Sequence, residues 1–410
     1  MKEKIVITGI GLVTPFGIDK NIVFDKITKA ESWIKEVNKI KNSSIPSKLG
    51  GEVDPIMLKK VLLDTRSSRA TFVSQLTLAA GMLCLQDAKI KVTKDTSHKI
   101  GIFFATSQGA INAIEEINNK LFTEGPDAVD PLLFSETVFN APASLLSIKL
   151  GIYGPCIAVP MSKGGVGSII VQAINFLNSG IIDYALVGAA EELCHLVREA
   201  YYHLGVLSPC DDYPEGSRPF DKTRNGFVLS EGAAFVLLEK YGTAKTRDVN
   251  IYSELCSISL CSDGYNLADC DPSGEAMAWV INKSIENAGV EPKEIDCILS
   301  SASSLKDLDK IEAKGINLVF TNDTDKCLVT SIKGATGTLS SVDLFLSIIV
   351  GCLAIKNKVI PPTINYKYKD PECELNITKD SAVYKNINYL LITDCFWGGF
   401  YSSVVLKSIE

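Results

Sequence analysis

Nucleophilic and proton-transfer chemistry has few places to start in a chain of 410 residues with three histidines, His98, His195 and His203. None follows position 203, so the second half has no imidazole to act as a general base. Cysteines number twelve, yet no CxxC pair occurs and no histidine stands close behind a cysteine cluster, which argues against a metal site. Most of them lie in apolar runs, such as Cys297 in IDCILS and Cys352 in IIVGCLAI. A thiol there packs as a small apolar group and fits a reducing cytosol. Two glycine motifs invite a nucleotide and fail the test. TGIGLVTPFG at 8–17 has Thr14 in place of the third glycine of a dinucleotide loop and Pro15 where its helix should begin. A glycine turn leaving the first strand is the simpler reading. KGGVGS at 163–168 opens a helical run without the GK[ST] order of a phosphate loop, and close backbone packing accounts for it.

The elements around these residues belong to a globular α/β protein. Apolar residues make up 46% and charged residues 22% of the chain. Acidic side chains outnumber basic ones 48 to 41, which argues against nucleic acid as a partner. The N-terminal MKEKIVITGIGLVTPFG reads as a strand rather than a signal peptide. The longest uncharged stretch, 164–182, contains Gln172, Asn175 and Asn178 and is no membrane span, so a cytoplasmic location is expected. Strand-like runs (KIVITG, KIGIFFATS, CIAVP, DYALVGAAE, AAFVLLEK, then IYSELCSISL, DCILSSAS, CLVTSI, YLLITD, YSSVVLKS) alternate with segments of helical period. Val166, Ile169, Ile170, Ala173, Ile174 and Leu177 predict a helix over 163–179. A second helix, apolar nearly all round, is predicted at 341–355. In each half a strand ends in small polar residues, FFATSQGA and ILSSASSL, where a site loop would stand. Two similar halves, 1–250 and 251–410, are expected to meet near the polar stretch KYGTAKTRDV.

Five motifs in order, IVITGIGLVTPFG, RPFDKTRNGFVLSEGAAFVLLE (218–239), VTSIKGATG (329–337), VIPPTIN (359–365) and DCFWGG (394–399), resemble the β-ketoacyl-acyl-carrier-protein synthases of the thiolase superfamily. The resemblance runs from residue 4 to about 408. It implies a duplicated, thiolase-like αβαβα five-layer fold, dimerisation, and acyl chains arriving as phosphopantetheine thioesters on an acyl carrier protein, with no cofactor bound by the chain itself. Synthases of this family condense acyl units with one cysteine, activated at a strand-to-helix elbow, and two histidines that assist decarboxylation.

Each reactive side chain is replaced here. Counting from Gly154-Pro155 forward and from Gly180, Asp183 and Glu191 backward places Lys163 at the nucleophile position, or Ser162 with a shift of one residue. Lysine at the positive end of a helix is expected to turn to solvent or pair with a carboxylate, and burial would depress its pKa. The first histidine becomes Ser301, with Asp309 and Glu312 fixing the register downstream, and the second becomes Thr338, after an intact Lys333 to Gly337. Behind it the expected glycine-alanine stretch reads SSVD. Lys333 and Glu312 are expected to form a structural ion pair. Trp397 stands where synthases carry a gating phenylalanine, which would plug or reshape the acyl pocket. PLLFSET (131–137) matches the region that crosses the dimer interface, so Leu132, Leu133 and Phe134 either line an acyl tunnel or belong to the core.

The resemblance with these departures implies a non-catalytic, chain-length-factor-like subunit. It would form a heterodimer with an active ketosynthase and shape its acyl tunnel in type II polyketide, polyene or fatty-acid-like biosynthesis. The alternative is an acyltransferase or condensing enzyme with Ser162 or Lys163 as its nucleophile.

Overall fold

The computed structural model describes all residues except 1, 2, 40–44, 64, 66, 68, 211, 322–326 and 410. Each of the ten apolar runs becomes a strand. The first set is β1 (Ile5–Val13), β2 (Ile100–Thr106), β3 (Cys156–Pro160), β4 (Tyr184–Glu191) and β5 (Gly232–Lys240). The second is β6 (Ser253–Ser262), β7 (Cys297–Leu299), β8 (Leu328–Thr330), β9 (Tyr389–Phe396) and β10 (Phe400–Lys407). The spatial orders are β3-β2-β4-β5-β1 and β8-β7-β9-β10-β6, so each strand of the second set repeats the place of the strand five numbers before it. Directions repeat as well. β2 is parallel to β3 and β4, and β5 is antiparallel to β4 and β1. β7 is parallel to β8 and β9, and β10 is antiparallel to β9 and β6. The sets join at Val6–Glu254 and Ile7–Ser253.

Six helices supply the layers: α1 (Phe72–Asp87), α2 (Ala141–Leu150), α3 (Ser168–Asn178), α4 (Glu275–Ala288), α5 (Lys306–Val319) and α6 (Asp343–Asn357). α3 and α6 each touch strands of both sets, whereas α1 and α2 cover the first set and α4 and α5 the second. The result is five layers, helices–sheet–helices–sheet–helices, the duplicated thiolase-like arrangement. It explains why α6 is apolar nearly all round: it packs between two sheets rather than on one. The stretch Ser340–Asn357 is long and apolar enough to cross a membrane and is buried between the sheets.

Two local readings change. Gly9 and Gly11 lie inside β1, which runs on to Val13, instead of in a turn leaving it. A Cβ on Gly11 would stand 2.0 Å from the Ala80 carbonyl oxygen, so this glycine lets α1 press against the strand. The helix predicted from 163 begins at Ser168; residues 163–167 form turns, with Gly164 at φ +77°. The open edge of the first set is β3, which pairs with β2 on one side. Beside it, the chain leading into α2 presents Leu132 and Phe134, 76% and 65% exposed, so they are not core residues, while the half-buried Leu133 packs inward.

Candidate functional site

The elbow between β3 and α3 is closed by a contact only glycine permits: a Cβ on Gly164 would lie 2.1 Å from the Phe400 carbonyl oxygen at the β9–β10 hairpin. Its amide donates to Asp394 Oδ2 at 2.6 Å. Pinned in this way, Lys163 sends its side chain inward. Its Nζ donates to the Ser301 carbonyl at 3.1 Å, stands 3.4 Å from Asp343 Oδ2, and lies 5.8 Å from the centre of the Phe396 ring. Lys333 Nζ reaches the other oxygen of the same carboxylate, Asp343 Oδ1, at 2.9 Å. Both lysines and the aspartate are buried. The expected partner of Lys333, Glu312, is engaged elsewhere, so the ion pair is Lys333–Asp343.

Electrostatics follow from this bridge. Burial pulls the Lys163 ammonium toward neutrality, but Asp343 and Asp394 outweigh it and the pKa is raised, not depressed. Lys333 goes the other way: burial, with the charge of Lys163 added, outweighs Asp343 and lowers its pKa. Burial pushes Asp394 up to about 6 against the pull of Lys163. Lys163 is thus held as a protonated amine whose lone pair is unavailable.

Ser301 and Thr338, expected at the histidine positions, have different surroundings. Ser301 touches Lys163 through its carbonyl; its amide donates to Glu312 Oε1 at 2.8 Å, and its hydroxyl contacts the backbone of Cys395. Glu312 also accepts the Thr393 hydroxyl, and burial pushes its carboxyl up to about 7. Asp309 accepts the amides of Phe220, Ser303 and Ser304, tying the 218–239 block to the Ser301 loop. Thr338 pairs through its backbone with Val228 and Ser230, and its buried hydroxyl has no hydrogen-bond partner among the described residues. Neither hydroxyl replaces an imidazole that titrates near neutrality.

Phe396, the neighbour of Trp397, is the ring that faces Lys163. The two rings lie 4.5 Å apart, and Trp397 packs on Phe227 at 6.2 Å and Tyr201 at 6.1 Å. This aromatic cluster adjoins a surface cavity of about 320 Å³, lined by Tyr265, Asp269, Cys270, Leu308, Lys314 and Trp397 among others.

Asp343 and Asp394 stand inside the motifs SSVD and DCFWGG, yet motif reading assigns no role to either carboxylate. The available signal is a lone carboxylate in an apolar run, SSVDLFLSIIV and YLLITDCF, where only a buried counter-charge makes it tolerable. A further group was also missed: Glu191, ending β4, buried and linked through serines to Ser162.

Comparison with known proteins agrees with the five-layer fold. Residues 2–244 match the beta-ketoacyl synthase N-terminal domain and residues 252–367 its C-terminal domain, and the chain belongs to the beta-ketoacyl synthase family. It is 28% identical to 3-oxoacyl-[acyl-carrier-protein] synthase 2 of Coxiella burnetii, over 100% of this chain and 99% of that protein. Identity to the protein of the same name from Staphylococcus aureus strain COL is 26%, with the same coverage. Among solved structures, the ishigamide ketosynthase/chain length factor superposes with a TM-score of 0.93 at 23% identity, over all of both chains. A type II polyketide ketosynthase in complex with its acyl-carrier protein gives 0.90 at 24%, again over all of both chains.

Proposed function

We propose that this chain is a non-catalytic, chain-length-factor-like subunit that pairs with a cysteine-bearing ketosynthase and shapes the tunnel in which that partner extends an acyl chain. Its setting would be type II polyketide, polyene or fatty-acid-like biosynthesis, with acyl groups delivered on acyl carrier protein. The observation that carries this reading is the Lys163–Asp343–Lys333 bridge. A synthase needs a thiolate and two imidazoles at this place; here a buried carboxylate holds two ammonium groups, and the flanking positions are hydroxyls. Support for a partner comes from the open edge of β3 and from Leu132, Phe134, Val138 and Phe139, apolar and exposed in a continuous segment. The resemblance to a solved ketosynthase/chain length factor is consistent with it.

The test is to express the chain alone and together with an active ketosynthase from the same locus, and to follow carbon dioxide release and chain extension from malonyl-carrier protein. The expected result is no turnover alone, a one-to-one complex on co-expression, and product length that changes with substitutions at Leu132 or Phe134. Multiple turnovers by the isolated chain would refute it.

A further inference from the structure

A second constellation lies beside the bridge. Glu191 is 2% exposed, and one oxygen, Oε1, accepts the Ser107 amide at 2.6 Å, the Ser107 hydroxyl at 2.6 Å and the Ser341 hydroxyl. Ser107 Oγ lies 2.9 Å from Ser340 Oγ, and Ser340 Oγ lies 3.2 Å from Ser162 Oγ. An ionised carboxylate only accepts, so Ser107 donates to Glu191, accepts from Ser340, and Ser340 in turn accepts from Ser162. The chain of hydroxyls has one direction, from half-buried Ser162 to a buried base. Ser340 holds its place at φ +50°, a left-handed conformation unfavourable for serine, which glycine would adopt freely. A structural turn has no need of a hydroxyl there.

We infer that Ser162 Oγ is an acyl acceptor, charged by a thioester through the relay Ser340–Ser107–Glu191, without any carbon–carbon bond formation. The inference rests on thioesters reaching this fold, as proposed above, and separates the two candidate positions: Lys163 is clamped and protonated, whereas Ser162 is connected to a base. In the step, Ser162 Oγ attacks the thioester carbonyl; a C–O bond forms and the C–S bond breaks. The Ser162 proton passes to Ser340, that of Ser340 to Ser107, and that of Ser107 to Glu191. The leaving thiolate takes the proton of Ser340, which is resupplied by Ser107 and, in turn, by Glu191, so the products are a seryl ester, a free thiol and a carboxylate ready to accept again. Burial raises the Glu191 pKa against the pull of its serine donors, which suits it to hold that proton.

The experiment incubates the full chain with the N-acetylcysteamine thioester of a medium-chain acid and reads intact mass, followed by peptide mapping. A hydroxylamine wash at neutral pH removes thioesters from accessible cysteines such as Cys156 and Cys210 and leaves oxygen esters. The expected result is a hydroxylamine-resistant adduct on the peptide carrying Ser162. It is absent in S162A, slowed about a hundredfold in E191Q with loss of the rise in rate with pH, and slowed at least about tenfold in S340G. S340G guards against misfolding, because glycine relaxes the backbone while removing one link of the relay; its urea midpoint should match or exceed that of the parent. No adduct, an adduct unchanged in S162A, or S340G acylating at the parent rate would each overturn the inference. If the ester fails while the co-expressed pair still condenses, the proposed function stands without it.

Discussion

Replacing Asp343 by asparagine keeps the shape of the side chain and removes the one charge that holds Lys163 and Lys333 together. The two N–O separations are 3.4 and 2.9 Å. At an effective dielectric of about 20, each attraction amounts to roughly 5 kcal/mol before desolvation is counted. Removing one partner of a buried ion pair costs about 3–5 kcal/mol, because the charge left behind is uncompensated. Asp343→Asn leaves two such charges, so at least the upper end of that range is expected. Lys163→Met is different: Asp343 keeps Lys333, the methionine fills the space of the lysine stem, and a loss of about 0–2 kcal/mol is expected. The diagnostic is the sign of the lysine substitution in the two backgrounds. With Asp343 present, Lys163→Met is neutral or destabilising; with Asp343→Asn, the same change removes a stranded cation and becomes stabilising. Urea unfolding followed by tryptophan fluorescence on the parent, both single variants and the double variant gives the coupling directly. Equal effects of Lys163→Met in both backgrounds would refute the shared-carboxylate argument, as would a loss below about 1 kcal/mol for Asp343→Asn.

Lys163→Cys places a thiol where the proposed reading expects the family nucleophile and leaves Asp343 paired with Lys333, so the protein should fold. It should still release no carbon dioxide from a malonyl thioester, since Ser301 and Thr338 supply no imidazole; turnover by this single variant would contradict the roles assigned to those positions. Glu312 titrates at about 7 in the folded protein, above the ordinary 4.5 of an unfolded glutamate. Its contribution to stability is therefore complete below pH 4.5 and is lost as pH rises through about 7, and a Tm–pH profile of Glu312→Gln should have a shallower decline over that window. Leu132→Asp with Phe134→Asp should abolish co-purification with a ketosynthase partner while changing the isolated chain's stability by no more than about 0.5 kcal/mol each, because both side chains are exposed. A stable complex in a pull-down of that double variant would move the interface elsewhere.

Most of the fold was legible in local pattern. The ten strands were visible as short apolar or alternating runs bounded by turn residues, fully buried in β1 and β2, alternating in β6 and at most half-buried in β3, and α6 announced itself by burial on all sides. The motif residues themselves were equally visible: Lys163 or Ser162, Ser301 and Thr338 stand where the resemblance expects a nucleophile and two histidines. Element boundaries were less so: the helix after Lys163 starts five residues late because Gly164 must admit the Phe400 carbonyl, a contact between residues more than two hundred positions apart.

By itself, then, the sequence determined the layered fold and which residue types stand in the family-like motifs, because both are properties of residue type and near spacing. Only the tertiary structure decided what those residues became. Asp343 lies on α6, Lys163 at the end of the β3 edge, and Lys333 in the turn after β8; Glu191 and Ser162 belong to one half and Ser340 to the other. Charge pairing and proton transfer depend on separations of about 3 Å between atoms distant in the chain. Such separations are set by packing two sheets around α3 and α6, and no periodicity along the chain encodes them.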